Sequence, residues 1–553
     1  MELIKQILET KGNNTLPEAL LAMDNADLMK ASATILEEAS LIQQELLKEI
    51  ISFGQETEFG HKHDFAHIKN IDDFRKQVPI TSWHDFESYV DRMADGESDL
   101  LFPGKAQFFT ITSGSTGKEK LIPESKMSEV VRKLILRYRT AQYLKLVPNL
   151  MEGRLLPLIN ALVLSKTNSG IPCGAASGLT VDQSNISHLL AFPLALLQNQ
   201  DSESTDYLIM RLSIAYENVH MIIGNNAGRL SNLIRLAEQH ADRIIKDIED
   251  GTIEGARQVD PKIRELLSNM LQPNKTRAAQ LRKILEEGEP FIPKYYWPDL
   301  KLASFWLSSS VGTYVEEVKP LLPSTIKYMD SGYGSSEAKF NIPTEPDRKD
   351  GTLSIATSFY EFIPEAGGDP LLAHEVEVGK TYRLVITTWG GLYRYDMKDI
   401  IQVNGFSGST PIIEFIRKEC DQLNICGEKV PVLSVDRSIR EVLSEKGLRV
   451  KQIQVYPNID KHRYDCYIEL IDNHLDCLDE HDRAEIDRRL INYSLTFQIF
   501  NAQGLINSPH LIEMRPGWQE SLYLEKLKPG LTISQIKLPI LIHQPANSNW
   551  ILS

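Results

Sequence analysis

The chain has 553 residues, of which 42% are hydrophobic and 24% are charged, a composition typical of globular proteins and not of disordered or fibrous ones. Its formal net charge at pH 7 is −15, and no run of five or more Lys and Arg residues interrupts this acidic balance. Because nucleic-acid binders need clustered cations against the phosphates, no nucleic-acid partner is expected.

The cysteines and the first residues indicate the compartment. Five scattered cysteines show no Cys-x-x-Cys pair, so neither a disulfide framework nor a zinc ribbon is predicted. The N-terminal sequence MELIKQILETKGNN lacks the cationic start and apolar core of a signal peptide. The longest apolar run, 189–197, contains Pro193 and is far shorter than the ~20 residues that cross a bilayer. We expect a cytoplasmic protein with no membrane partner.

The first part of the chain is predicted to be helical. Apolar residues from Ile35 to Phe53 recur at spacings of three and four, which predicts one helix face ending near Gly54. Residues 124–150 and 205–290 are predicted to be helical in the same way, with one long amphipathic helix over 226–251.

Strands are predicted from about 325 to 416. Short β-rich or alternating segments occupy 325–330, 351–363, 382–388 and 399–406. Gly390-Gly391 separates two of them and predicts a hairpin.

The composition changes at 418–429. Beyond it the patterns predict an αββαβ order, with a helix at 432–446, strands at 450–457 and 462–471, a helix at 479–502 and a strand at 510–515. We predict a large domain over 1–417, a hinge over 417–427 and a small domain over 427–553.

The first motif with chemical potential is the loop Thr110-Ile-Thr-Ser-Gly-Ser-Thr-Gly-Lys118. Its hydroxyls and backbone N–H groups could surround a phosphate, and its glycines permit close approach. It is not a Walker A loop, because position 112 is Thr where that pattern needs Gly. Alone, the loop could equally be an exposed polar turn.

The second motif is Tyr333-Gly-Ser-Ser-Glu337, which follows the predicted strand 325–330. A tyrosine beside a flexible turn can stack on a base, and a glutamate can hold Mg²⁺. The dinucleotide fingerprint fails, because its third glycine is replaced by Glu337. The alternative is a β-turn whose tyrosine packs on the core.

Two further motifs are weaker when taken singly. Tyr393-Arg-Tyr-Asp-Met-Lys-Asp399 places a carboxylate at a strand end, where it could accept ribose hydroxyls or be an ordinary hairpin charge. Gly427-Glu-Lys429 lies at the predicted hinge, and its lysine could equally be solvated.

The order of these motifs resembles the adenylate-forming superfamily, and within it the acyl acid amido synthetases of the Gretchen Hagen type. The segments that carry the resemblance are 108–123, 332–337, 359–364, 375–406 and 427–430, with 58–80 upstream and 530–539 near the end. The resemblance therefore covers residues from about 50 to 540.

The resemblance implies a fold, an activity and a site. The fold is mixed α/β, with a large N-terminal lobe of β-sheets flanked by helices, a β-barrel-like subdomain and a small mobile αβ C-terminal domain. The implied contacts to ATP phosphates come from Thr112, Ser113, Ser115 and Thr116. Tyr333 is implied to lie against adenine, Ser335 and Ser336 to line the nucleotide site, Glu337 to ligate Mg²⁺, and Asp399 to bind the ribose. Lys429 is implied to reach the α-phosphate, and Lys537 resembles the C-terminal lysine of the superfamily.

Three positions depart from the family pattern. Lys398 stands where Gly usually precedes the ribose aspartate, Asp396 where a basic residue is common, and Ala338 where Gly is common. None of these changes removes an implied ligand, but they could alter entry to the nucleotide site and the preference for the amine.

The predicted reaction activates a small carboxylic acid with ATP and transfers the acyl group to an amino acid. The acyl pocket is expected among residues 120–330, and the protein is expected to be a monomer or weak dimer. Two alternatives stay open, a ligase that transfers to a thiol such as coenzyme A and a non-catalytic nucleotide-binding protein. The histidines at 61, 63 and 67 are predicted to form a structural turn, because no second ligand group with zinc spacing accompanies them.

Overall fold

A computed structural model describes residues 6–552 except 10, 113–119, 160, 183–185, 225–226, 269, 308–312, 420, 426–427, 429, 473, 503–504, 527–535 and 537. The chain divides into two compact units, Met1–Ile416 and Arg417–Ser553.

The first unit is built from helices and three sheets. Its helices, in chain order, are α1 Leu16–Ala22, α2 Asn25–Glu37, α3 Ala39–Gly54, α4 Glu58–Lys62, α5 Ile71–Gln77, α6 Trp83–Ala94, α7 Lys126–Leu146, α8 Ala176–Asp182, α9 Ser202–Ile214, α10 Ala227–Gln239, α11 Ala241–Asp250, α12 Pro261–Ser268, α13 Lys275–Glu286, α14 Pro293–Tyr296 and α15 Thr313–Val318. Its strands are β1 Phe108–Thr112, β2 Lys120–Glu124, β3 Arg154–Leu158, β4 Ser165–Lys166, β5 Pro172–Gly174, β6 Val219–Gly224, β7 Leu302–Phe305, β8 Lys327–Asp330, β9 Asn341–Ile342, β10 Gly351–Leu353, β11 Phe359–Pro364, β12 Leu371–Leu372, β13 Thr381–Thr387, β14 Tyr395–Ser407 and β15 Thr410–Lys418.

Two of the helices predicted in the first unit are each divided in two. The apolar face from Ile35 to Phe53 is shared by α2 and α3, which are separated by the non-helical Glu38. The predicted helix over 226–251 is interrupted at His240 and ends, as predicted, at Gly251 in the left-handed conformation with φ +73°. The spacing of apolar residues continues across a one-residue break when both helices bury their apolar faces, so the sequence pattern does not reveal the break.

A four-stranded parallel sheet has the order β3-β6-β7-β8. Its strand β6 lies inside 205–290, which the sequence pattern predicted to be helical, and that part of the prediction is wrong. The run VHMIIG is short and almost wholly buried, and periodicity alone does not separate such a strand from a buried helix. The carboxyl ends of parallel strands meet at one edge, where ligands bind in many α/β proteins.

A seven-stranded antiparallel sheet has the order β12-β11-β13-β14-β15-β10-β9. The predicted hairpin is present between β13 and β14, and Gly391 occupies its bend with φ +83°. A Cβ atom at this glycine would lie 2.5 Å from the Cβ of Leu101, so both the backbone angle and the space require glycine.

The first unit has two large apolar cores. One contains Phe109, Tyr333 and Tyr393 and lies under the seven-stranded sheet and the N-terminal helices. The other contains Ile222 and Trp297 and joins the parallel sheet to helices α9–α14. The motifs at 108–112 and 332–337 therefore rest on the first core.

The second unit contains the predicted αββαβ elements, with a short two-stranded sheet before them and a further helix after them. Its elements are β16 Gln422–Leu423, β17 Val430–Pro431, α16 Val432–Glu445, β18 Val450–Asn458, β19 Arg463–Leu470, α17 Glu480–Tyr493, α18 Leu495–Ala502, β20 His510–Glu513 and α19 Trp518–Lys526. Strand β19 pairs antiparallel with β18 and parallel with β20. The predicted helix 479–502 is broken at Ser494. Within the described ranges, no helix is long and apolar enough to cross a membrane.

Candidate active site

The turn between β8 and β9 carries the second motif. Gly332 has φ +83°, and its N–H donates to Asp330 Oδ1 over 2.6 Å. The N–H of Tyr333 donates to Asn341 Oδ1 over 2.7 Å, and Asn341 Nδ2 in turn donates to the carbonyl of Ile413 over 2.8 Å. These bonds fix the turn to strands on both sides, so its tip has a defined position.

The tip of this turn lies against the strand that leads into the first motif. Thr110 Oγ1 donates to the carbonyl of Ser336 over 3.3 Å, and Ser336 Oγ donates to the carbonyl of Ile111 over 3.4 Å. Two motifs that are more than 200 residues apart in sequence are thereby brought together.

The hydroxyl loop itself is described only in part. Ser113, Ser115 and Thr116 lie outside the described residues, and for Thr112 only the backbone, at the end of β1, is described. Their phosphate-binding roles stay predictions.

The second and third motifs also meet. The Tyr333 hydroxyl donates a hydrogen bond to the Asp399 carboxylate. Burial and the charge of Asp399 raise the pKa of Tyr333 well above its ordinary value, so the hydroxyl keeps its proton. The ring centroid of Tyr333 lies 4.5 Å from that of Phe340 and 5.2 Å from that of Phe415. Tyr333 and Asp399 are 4% and 2% exposed, so the structure uses this tyrosine to hold the carboxylate, a role that its sequence position did not indicate.

The residue before Asp399 explains one departure from the family pattern. Lys398 has φ +54°, in the left-handed region that favours glycine, and its Nζ lies 2.8 Å from Asp396 Oδ2. The unusual lysine and the unusual aspartate therefore compensate each other as an ion pair beside the site.

A cavity of about 60 Å³ adjoins the second motif. Its walls come from the turn 335–339, from the hairpin segment Thr388–Gly390 and from one face of α7, where Ser128, Arg132 and Ile135 line it. Ser335, Ser336 and Glu337 are all partly exposed here. The three residues predicted to line the nucleotide and metal sites thus share one wall of a cavity.

A buried ion pair on the cavity wall was missed from the sequence. Glu124, at the end of β2, pairs with Arg132, and their side chains are 9% and 13% exposed. Burial raises the pKa of Glu124, while the charge of Arg132 opposes that rise. Glu124 lies just after the segment 108–123, but no spacing rule pairs it with a residue on the next helix.

Arg139 was also missed. It is 8% exposed and lies one to two turns beyond Arg132 and Ile135 on the cavity-lining side of α7. Its Nη2 donates to Tyr143 Oη over 3.0 Å, and that hydroxyl lies 2.8 Å from Ser304 Oγ at the end of β7. Among the described residues, its Nε has no hydrogen-bond partner. Its charge acts on the buried carboxylate of Asp330, whose pKa is raised by burial to about 7. An arginine within the buried stripe of a predicted amphipathic helix was the available signal.

The two predicted catalytic lysines, Lys429 and Lys537, lie outside the described residues. Glu428 is described and is fully buried in the second unit. Its Oε1 accepts hydrogen bonds from the Ile425 N–H over 2.7 Å and from the Tyr464 hydroxyl over 2.9 Å. The motif that contains Lys429 is thus anchored at the preceding residue.

The predicted structural turn at the histidines has local hydrogen bonds. His63 Nδ1 lies 2.9 Å from the Gln77 carbonyl, and His67 Nδ1 lies 2.6 Å from Asp64 Oδ1. Among the residues with described positions, no group of three or more His, Cys, Asp or Glu side chains could hold a metal ion.

Comparison with known proteins decides the family. Residues 29–326 match the family model described as the GH3 family N-terminal domain. The chain belongs to the GH3 family. Residues 351–418 of this GH3 protein match the GH3 family central domain, so the Gretchen Hagen family predicted from the ordered motifs is confirmed.

Relatives of this GH3 protein are named as amido synthetases and amino acid synthetases. A probable indole-3-acetic acid-amido synthetase, GH3.1 of Arabidopsis thaliana, is 26% identical over 454 residues, which cover 76% of this chain and 74% of the relative. The jasmonoyl-L-amino acid synthetase JAR6 of Nicotiana attenuata is 24% identical, covering 84% and 85%. A solved structure of the acyl acid amido synthetase AtGH3.15 in complex with 2,4-DB has a TM-score of 0.82 at 21% identity, covering 96% of this chain and 97% of that one. The predicted mixed α/β fold is confirmed, and the predicted activity class agrees with that of these relatives.

Proposed function

We propose that this GH3 protein is an ATP-dependent ligase that joins a small carboxylic acid to the amine of an amino acid through an acyl-adenylate. The observation that carries the proposal is the meeting of three motifs at one place. Ser336 bonds to the strand of the first motif, Tyr333 bonds to Asp399 of the third, and Glu337 lines the adjoining cavity. The names of the relatives agree with this chemistry.

The chemistry requires activation because a carboxylate is a poor acyl donor. Its oxygen attacks the α-phosphorus of ATP, pyrophosphate leaves, and the acid becomes a mixed anhydride with AMP. The amino group then attacks the acyl carbon, AMP leaves with the bonding electrons, and the amine loses a proton. The first step brings two anions together, so the protein must supply positive charge where they meet.

Arg139 is the proposed anchor of the acid's carboxylate. Its guanidinium is buried near the carboxyl end of β7, and its interaction with the buried Asp330 carboxylate is electrostatic, with no hydrogen-bonded ion pair to it among the described residues. A buried cation without a hydrogen-bonded carboxylate is costly for folding, and such a cost is typical of a group that binds an anionic ligand.

Glu337 is the proposed ligand of Mg²⁺. Its carboxylate is partly exposed on the cavity wall, and a hard oxygen donor of this kind fits the cation, which usually takes one or two carboxylates along with the phosphates of a nucleotide. When bound, Mg²⁺ supplies charge that offsets the phosphate oxygens. The turn bonds of Ser335 and Ser336 fix the position of Glu337.

Glu337→Gln is expected to lower the rate of acid-dependent pyrophosphate exchange by roughly 100-fold, a typical loss when one stabilising group is removed. Nucleotide binding measured without Mg²⁺ should change little, because the amide keeps the size of the side chain. Glu345→Gln, on an exposed side chain beyond the same turn, is the control and should leave both quantities unchanged. Parental exchange in Glu337→Gln would remove this residue from the metal site.

Asp399→Asn is expected to weaken ATP binding, measured by calorimetry, about tenfold or more, because a charge-assisted hydrogen bond contributes roughly 1.5–3 kcal/mol. Tyr333→Phe, which deletes only the hydroxyl that orients Asp399, should weaken binding by a smaller factor. If both variants bind ATP like the parent, the Tyr333–Asp399 pair holds the turn and does not bind the ribose.

The proposal as a whole is tested by pyrophosphate exchange with a panel of carboxylic acids, followed by product analysis with amino acids and with coenzyme A. Amide products with amino acids support it. Thioester products alone would favour the coenzyme A ligase. If none of the tested acids supports pyrophosphate exchange, the result would favour a non-catalytic nucleotide-binding protein.

The proposal includes the predicted hinge at 417–427. Movement about this hinge would allow the small domain to serve both adenylation and acyl transfer. The boundary between the two compact units, after Ile416, supports this part of the proposal.

A reducing, cytoplasmic compartment is supported by the free thiols of Cys173 and Cys466, and a monomer or weak dimer stays the prediction.

A further inference from the structure

We infer that the acid selected by this cavity carries a hydroxyl group, remote from its reacting carboxylate, that hydrogen-bonds to the buried Glu124–Arg132 pair. The inference rests on the proposed function and names the substrate class more narrowly. It starts from an ion pair that lines the cavity on the wall formed by β2 and α7.

The pair belongs to the cavity as well as to the protein interior. Glu124 and Arg132 both line the cavity, and Glu124 is 6% exposed as a residue. Ser128, one turn before Arg132 on α7, adds a hydroxyl that hydrogen-bonds to Glu124. An aliphatic pair of similar size would fill such a wall at no desolvation cost, so a buried ion pair there is not explained by stability alone.

The charges of the pair select the kind of group that it can bind. Its net charge is zero, with an acceptor on Glu124 and donors on Arg132. A second carboxylate on the substrate would be repelled by Glu124, and an amine would be repelled by Arg132. A hydroxyl both donates and accepts, and it is neutral, so it can bridge the two partners without adding charge to a buried site.

The rest of the lining suits the body of such a substrate. Ile122, Val131, Ile135 and Trp389 present apolar surface, which favours an aromatic ring or a short hydrocarbon chain between the two polar ends. At the other wall, Ser335–Glu337 mark the proposed reaction centre. The combination favours hydroxylated aromatic or aliphatic acids over their unsubstituted analogues.

The test compares pairs of acids that differ only by one hydroxyl, such as 3-phenylpropanoate with its 2-, 3- and 4-hydroxyphenyl counterparts, and hexanoate with 6-hydroxyhexanoate. The quantity measured is kcat/KM for acid-dependent pyrophosphate exchange by the parent protein. We expect at least one hydroxylated acid to exceed its parent acid by roughly tenfold or more, the factor of a single net hydrogen bond to a charged group. Equal or lower values for every hydroxylated acid would overturn the inference, as would a preference for an amino or dicarboxylic analogue.

The double variant Glu124→Leu/Arg132→Leu removes the pair without leaving a lone charge. It is expected to bring the hydroxyl preference, which is the ratio of kcat/KM for a hydroxylated acid to kcat/KM for its unsubstituted partner, close to one. The control is Glu129→Leu/Lys133→Leu, which removes an exposed ion pair from the same helix and should leave the preference unchanged. A preference that persists in the first double variant would place the hydroxyl elsewhere.

Failures of the two ideas are distinguishable. If no acid supports exchange, the proposed function fails; if acids support exchange without regard to their hydroxyl groups, only the substrate inference fails. The comparison of acid pairs needs only the parent protein, so it decides the inference even if the double variant does not fold.

Discussion

Arg139→Gln is expected to lower kcat/KM for the acid by about 100-fold or more, since a buried charge pair with a ligand is typically worth 2–5 kcal/mol when one partner is truncated. Arg139 is 8% exposed, and its guanidinium donates to the Tyr143 hydroxyl, which in turn lies 2.8 Å from Ser304 Oγ. The acid's own carboxylate would be its counter-charge, and glutamine of similar reach cannot supply that charge.

The thermal stability of Arg139→Gln should not fall with its activity. Because the guanidinium is buried without an ion pair among the described residues, its removal relieves a desolvation cost. The melting temperature of Arg139→Gln should therefore equal or exceed that of the parent. A loss of activity that is accompanied by an equal loss of folded protein would indicate a structural arginine and contradict the assignment.

The control is Arg137→Gln on the same helix. Arg137 donates to the Leu21 carbonyl and to Asn25 Oδ1, each over 2.7 Å, and so faces the N-terminal helices. Its substitution should cost stability through these two bonds and leave kcat/KM per folded molecule unchanged. The two arginines thus separate a binding effect from a folding effect.

Lys429→Ala is expected to lower kcat for adenylation about 100-fold, the usual loss for one group that stabilises developing charge. The KM for ATP should change little, because a lysine that approaches the α-phosphate only at closure acts mainly on the transition state. Pyrophosphate exchange with the parent's preferred acid, measured at several ATP concentrations, gives both quantities.

The residue before this lysine is anchored independently of it. The neighbouring Glu428 is held by Ile425 and Tyr464, bonds that do not involve the lysine, so the second unit should stay folded. Lys461→Ala, at an exposed position of the same unit, is the control and should have parental kinetics. Exchange at the parental rate in Lys429→Ala would show that the predicted hinge lysine takes no part in adenylation.

Local sequence patterns were sufficient to predict structural features that depend on a single segment of the chain. The Gly390-Gly391 hairpin, the end of a helix at Gly251 and the αββαβ order of the second unit were all predicted, because turn residues and helix-ending glycines act on their own segment. The strand at 219–224 was missed because burial on both faces removes the alternation that would identify it.

The candidate site was predictable in its parts and not in its contacts. Motif order identified Tyr333, Glu337 and Asp399, but the hydrogen bond from Tyr333 to Asp399 joins residues 66 positions apart and depends on the packing of two sheets. Arg139 and the Glu124–Arg132 pair were not assigned to the site for a related reason. A charged residue on a helix or strand is expected at the surface, and only the tertiary structure shows that Glu124 and Arg139 are buried and that Arg132 pairs with Glu124.

The two separate apolar cores of the first unit have a consequence for protein engineering. The first and second motifs rest on the core that contains Phe109 and Tyr333, whereas helices α9–α13 belong to the core around Ile222 and Trp297. Insertions, deletions or sequence exchanges at the exposed ends of α12 and α13 should therefore be tolerated without disturbing the bonds between Thr110 and Ser336. This helical segment is a natural place to attach a tag or a reporter domain, or to recombine segments from related chains, while the adenylation site is preserved.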